Sequence, residues 1–180
     1  VVVGNGSGIG AVTAFNAKLI SPPDPAEAER ALYKMSFDFN KEAQILIHEN
    51  RLDEAVSLLQ KHLAETPENW KPLVESDSSI EGFFWNKEEF LSYVEFHRNR
   101  LEKSVFWRSP SYSRGHYQLS FILIDQRKIA QALAEIDKGL LLEPDHPQLL
   151  WEKAYILGKL GQLEPALDLL RKAFDSRPWN

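Results

Sequence analysis

Three stretches of this chain stand in register at the spacing of a repeated two-helix unit, and that register limits the folds open to it. Leu63-Ala64-Glu65-Thr66-Pro67, Leu140-Leu141-Leu142-Glu143-Pro144 and Phe174-Asp175-Ser176-Arg177-Pro178 each close a helix-like pattern with a proline. Pro144 and Pro178 are 34 residues apart. Twelve residues before each proline sits an alanine: Ala55, Ala132 and Ala166. A period of that length marks a stacked repeat, each unit burying its apolar face on the next.

Counted back from the prolines, the units are 36–69, 113–146 and 147–180. Their small positions hold Ala43 and Ala55 in the first, Ser120, Ala132 and Gly139 in the second, and Ala154, Ala166 and Ala173 in the third. Antiparallel helices in close contact need side chains this small where their axes approach. Gly139 inside a helix costs about 1 kcal/mol relative to alanine, so small size is expected to matter there. Asn50, Arg127 and Gly161 occupy the turn between the two helices, where asparagine and glycine suit a left-handed residue. Leu52, Ile129 and Leu163 are equivalent, as are Leu59, Ile136 and Leu170, then Leu63, Leu140 and Phe174. All are apolar at helical spacing.

This pattern resembles the tetratricopeptide repeat over about 100 of the 180 residues. The first unit is the divergent one, with His62 at a position the family keeps small. The tryptophan favoured at the fourth position is Phe39, His116 and Leu150 here. The resemblance implies an all-α fold: a right-handed α-solenoid of antiparallel helix hairpins, interrupted by an inserted irregular helical segment at 70–112. Residues 24–180 are expected to form one helical domain behind an N-terminal segment, 1–23.

Within the insertion, Asn86 to Lys103 reads as a helix with Phe90, Tyr93, His97 and Leu101 near one face. Ser76-Asp77-Ser78-Ser79 and Ser109-Pro110-Ser111 read as loops. The segment is dense in aromatics, from Phe83, Phe84 and Trp85 to Phe106, Trp107 and Tyr112. They serve either as a local cluster holding the insertion to its neighbours or as a partner-specific lid. Asp24-Pro25-Ala26-Glu27 opens another expected helix, to about Lys34.

Little in the chain speaks for catalysis. Cysteine is absent, which excludes disulfides, thiolate metal sites and cysteine nucleophiles. The five histidines include no i, i+4 pair, and no zinc-protease, nucleophile-elbow or phosphate-loop motif occurs. Val1 to Gly10 looks like a dinucleotide-binding turn, but no second buried strand follows Leu19, so no cofactor is expected. A net charge of −5 argues against a nucleic-acid or anionic-membrane surface. No apolar run approaches the ~20 residues of a membrane span. A cytoplasmic, non-enzymatic chain is the expectation. Because it begins with Val1, it is also expected to be a processed or excised piece of a longer one.

The resemblance places a groove along the first helix of each unit. Its lining would include Asn40 and Gln44, then Arg114, Tyr117 and Phe121, then Trp151 and Tyr155. The carboxylate-clamp version of the family is not implied, because Asn40, Gln44 and Gln118 stand at its places with no lysine. The aromatic set reads either as a groove for a partner's peptide or helix, or as a surface filled internally by residues 86–103. Arg98, Arg100, Lys103 and Arg108 form a basic run that would suit an acidic peptide or phosphate, or balance acids elsewhere. The leading expectation is a non-catalytic protein-interaction module with another protein or peptide as partner. The alternatives are a self-associating homo-oligomer and a regulatory helical domain of a larger enzyme.

Overall fold

The computed structural model of the protein describes residues 38–97 and 103–177. The expected helix after Asp24, the glycine-rich opening and the basic residues Arg98 and Arg100 lie outside them. The described residues hold seven helices and three short strands: α1 (Phe39–His48), α2 (Leu52–Leu63), β1 (Leu73–Glu75), β2 (Ser79–Gly82), α3 (Lys87–His97), β3 (Ser104–Trp107), α4 (Tyr112–Asp125), α5 (Ile129–Leu142), α6 (Pro147–Lys159) and α7 (Leu163–Ser176).

Local chemistry sets the helix ends. The Asp38 carboxylate accepts the Asn40 N–H at 3.1 Å to open α1, and Ser111 Oγ accepts the Arg114 N–H at 3.3 Å to open α4. Pro147 starts α6, where its missing N–H costs nothing. Each hairpin then turns in the same way. Asn50, Arg127 and Gly161 have φ of 58°, 59° and 76°. The next N–H reaches back five residues in each case: Arg51 to Leu46 O, Lys128 to Leu123 O and Gln162 to Leu157 O, at 2.8–2.9 Å. This is the glycine-type helix stop, used once with glycine, once with asparagine and once with an arginine that bears the steric cost.

The pairs α1/α2, α4/α5 and α6/α7 are hairpins, and they stack so that α2 and α1 meet α4 while α5 meets α6. One continuous core joins the first two hairpins to α6 through Phe39, Leu59, Leu119, Ile122, Ile136 and Leu149. The small residues lie where the helices touch: Ala43, Ala55, Ser120 and Ala132 are fully buried, with Ala154 and Ala166 nearly so. A Cβ on Gly139 would stand 2.8 Å from Leu149 Cδ2, and one on Gly115 would stand 2.8 Å from Phe39 Cε2. His62, at the divergent small position, lies flat on the Phe39 ring, 5.2 Å between centroids and 4° apart in plane.

The insertion departs from the expectation of an irregular helical segment. It holds a three-stranded sheet in the order β1-β2-β3, antiparallel between β1 and β2 and parallel between β2 and β3. The strands are three or four residues long, too short to show a period of two in the sequence. Helix α3 crosses from β2 to β3, and its Phe90 and Tyr93 pack with Phe84, Val105 and Trp107 in a cluster apart from the main core. The sheet therefore lies outside the hairpin stack, and α2 contacts α4 across the intervening residues.

Two substitutions test this account by urea denaturation. Arg127→Gly removes a side chain from a left-handed position and should raise stability by about 0.5–1 kcal/mol. Gly139→Ala gains helix propensity but drives a methyl into the buried Leu149. The overpacking should win, for a net loss of about 1–2 kcal/mol.

Candidate functional site

A cleft of about 370 Å³ opens where α1, α4 and α6 meet the insertion, lined by Gln44, Trp85, Asn86, Arg114, Tyr117 and Phe121, with Ile47, Gln118 and Gln148 completing it. Helical spacing supplies Arg114, Tyr117 and Phe121 from one face of α4. Phe121 is 51% exposed. Arg114 is the charged group of the cleft. It donates from Nη1 to the Trp85 carbonyl at 2.6 Å and from Nη2 to Gln44 Oε1 at 3.0 Å. No carboxylate among the described residues lies within ion-pair distance of it. Burial pulls the guanidinium below arginine's ordinary value, against the attraction of Asp38 and Glu89. An arginine remains charged even so.

Trp85 forms the wall of this cleft, and nearly every polar and aromatic surface it has is engaged. Its N–H donates to Glu89 Oε2 at 2.7 Å and its indole N–H to Ser113 Oγ at 3.2 Å. Its ring stacks on His146, 3.7 Å between centroids, and packs against Tyr117 at 5.2 Å. Asn86 caps α3 by accepting the Glu89 N–H at 2.8 Å.

Behind Trp85 lies a buried ionic cluster. Arg177, at the end of α7, donates to Glu89 and reaches Glu143 Oε2 at 3.5 Å. The His146 Nε2 stands 3.5 Å from Glu89, at the long limit of a hydrogen bond, and 3.7 Å from Glu143. Glu143 and Arg177 hold equivalent places, one period apart, in successive repeats. Burial pushes Glu143 up to about 7, Arg177 only partly opposing it. Burial pushes His146 down to about 4, against the pull of Glu89. Burial would also raise Glu89, but His146, the Trp85 N–H and Arg177 outweigh it, so that carboxyl lies below the usual range. Burial thus favours one charged pair, Glu89 with Arg177, beside the neutral forms of Glu143 and His146.

The structure gathers part of the expected groove. Gln44, Arg114, Tyr117 and Phe121 share the cleft. Asn40 is buried instead: its Nδ2 donates to Ser111 O at 2.8 Å and its main-chain carbonyl accepts from Gln118 Nε2 at 2.9 Å, tying α1 to α4. Trp151 and Tyr155, 60% and 44% exposed, line a separate apolar cleft of about 470 Å³ against α7. Of the basic run, Lys103 pairs with Glu75 at 2.7 Å, and Arg108 pairs with Glu81 beside the Phe106 ring. Residues 86–97 do not fill the groove with their helix; Trp85, just before it, closes one side. Sequence reasoning counted Trp85 among the dense aromatics without placing it in the groove. It missed the ionic cluster, whose members lie in three separate segments.

Among the described residues no group of three histidine, aspartate or glutamate side chains is placed to hold a metal ion, and no helix is long and apolar enough to cross a membrane. His116 Nδ1 lies 2.8 Å from Glu135, which also accepts from Lys138 at 2.7 Å. These groups pair with one another in a cleft between α2 and α5.

Residues 147–178 match the tetratricopeptide repeat family. No curated protein matches the chain. Solved structures that resemble it include MamA AMB-1, at 14% identity over 84% of this chain and 92% of that one, with a TM-score of 0.36. A MamA mutant is 16% identical over 78% of this chain and 98% of that one, with a TM-score of 0.35.

The cluster makes a signed pH prediction. The folded protein keeps a proton on Glu143 that the unfolded chain releases above about 4.5, so this group's contribution to stability is lost as pH rises through about 7. His146 acts oppositely: its folded form is neutral where the unfolded form is charged, so its contribution is lost as pH falls from about 6.5 toward 4. The two nearly cancel between. Glu143→Gln keeps a neutral isostere and removes the first effect. Its stability relative to the parent should rise with pH from 4.5 to 7, by up to about 1.4 kcal/mol per unit, in denaturation curves taken across that range.

Proposed function

We propose, for a chain that belongs with the tetratricopeptide repeat proteins through its last hairpin, that its work is non-catalytic: it receives a peptide or helix of a partner protein in the cleft between α1, α4 and Trp85. Protein interaction is the function of such repeats, and the cleft is what gives this one its chemistry. The observation that carries the reading is Arg114. It is a partly buried cation whose hydrogen bonds go to neutral acceptors, with exposed Phe121 and half-buried Tyr117 on the same helix face. A cation that has lost water without gaining a carboxylate is strengthened by any acid brought to it. The aromatics add large contact area with few rotatable bonds. The segment that fits is therefore apolar or aromatic with an acidic side chain close by. The surrounding amides of Gln44, Asn86 and Gln148 can bond its backbone.

Peptide display against the immobilised protein tests this. Retained sequences should pair a Leu, Phe or Trp with a nearby Asp or Glu, and the same peptides carrying Asn or Gln should be lost. Arg114→Met and Phe121→Ala should each weaken a selected peptide by about tenfold or more, read by fluorescence anisotropy. Changing Trp151 and Tyr155 together to alanine should leave that binding intact, because those rings line another cleft. Equal retention of acid and amide peptides, or indifference to Arg114→Met, would overturn the proposal.

A further inference from the structure

The outer face of α7 carries Leu163, Leu167, Leu170 and Phe174 at 63%, 46%, 36% and 90% exposure. Their spacing of four, three and four residues is the seam of a two-helix coiled contact. One period earlier the same places hold Ile129, Leu133, Ile136 and Leu140. There Ile136 is fully buried and the other three are partly buried against the core, with α6 laid on α5. The stripe on α7 is thus the face on which this architecture seats a helix, and among the described residues nothing covers it.

Charge selects the occupant. Along the open flank of the stripe α7 is acidic toward its start and basic toward its end: Glu164 and Asp168, then Arg171. We propose that this face binds the α7 of a second copy of the chain, the two helices running antiparallel about a twofold axis between Leu167 and Leu170. That arrangement layers Leu167 on the partner's Leu170 and Leu163 on the partner's Phe174. It sets Glu164 of each copy beside the partner's Arg171, at positions that flank such a seam and decide orientation. Running the helices parallel would instead turn Glu164 and Arg171 toward the partner's opposite flank, where Ala166 and Ala173 offer no charge to meet. Within one chain Arg171 meets only Asp168, in a pair 73% exposed on both sides. Such a pair contributes little and exchanges readily.

Sedimentation of the whole chain at roughly 100 μM should show a dimer. Glu164→Arg and Arg171→Glu each create two like-charge contacts across the axis, and each variant should weaken the dimer about tenfold or more while keeping its helical circular dichroism. Mixing the two variants in equal amounts makes both contacts complementary again and should restore the dimer, now mixed in composition. Only the antiparallel pairing predicts both the weakening by each single reversal and the rescue on mixing. A monomeric parent chain, including one whose α7 is covered by its own residues 1–37 or open to another protein, overturns the proposal. So does a dimer indifferent to both reversals, or a mixture that stays monomeric. None of these outcomes bears on the cleft at Arg114.

Discussion

Everything in this protein rests on backbones allowed to touch. Ala43, Ala55, Ser120, Ala132 and Ala166 are buried where helices cross, and Gly115 and Gly139 leave no room for a methyl against Phe39 and Leu149. Dispersion between close-packed atoms falls off within an ångström, so a larger residue at these points would forfeit contact along whole helices. The hairpin geometry that follows sets α4 between α1/α2 and α5. That places Arg114, Tyr117 and Phe121 together on a side of α4 that faces Trp85 and Asn86 of the insertion.

The insertion completes the cleft with its aromatic wall. Trp85 is held from several directions at once, by Glu89, Ser113, Arg114, Tyr117 and His146. Removing two charges and an imidazole from water is costly and is offset only when each finds a partner. Here Glu89 and Arg177 are paired, while Glu143 and His146 take their neutral forms. The cluster adds little net stability over an apolar one. Its consequence is positional: it ties the start of α3 to the end of α7 and fixes one wall of the cleft relative to the last hairpin.

The repeat was legible because it is local. Small residues, turn residues and apolar stripes recur at fixed offsets, and the turns at Asn50, Arg127 and Gly161 fall where the register puts them. Even the departures follow from it, since His62 replaces a small residue and lies flat on Phe39. The sheet in the insertion was not legible, because strands of three and four residues carry no period. Nor was the burial of Asn40, which the family pattern turns toward the groove. Its side chain is captured by Ser111, 71 residues away, a contact no local pattern encodes.

The sequence by itself determined the hairpins, their turns and their stacking. Each of those follows from side-chain size and polarity read over a few residues of helix. Only the tertiary structure decided which aromatics share a cleft, leaving Tyr117 and Phe121 with Trp85 but Trp151 and Tyr155 against α7. It alone decided which charges are spent, pairing Lys103 and Arg108 with strand carboxylates and leaving Arg114 with neutral acceptors. The physical reason is range. Helix formation sums interactions three or four residues apart. Desolvation and charge pairing depend on whatever the fold brings near from any distance along the chain.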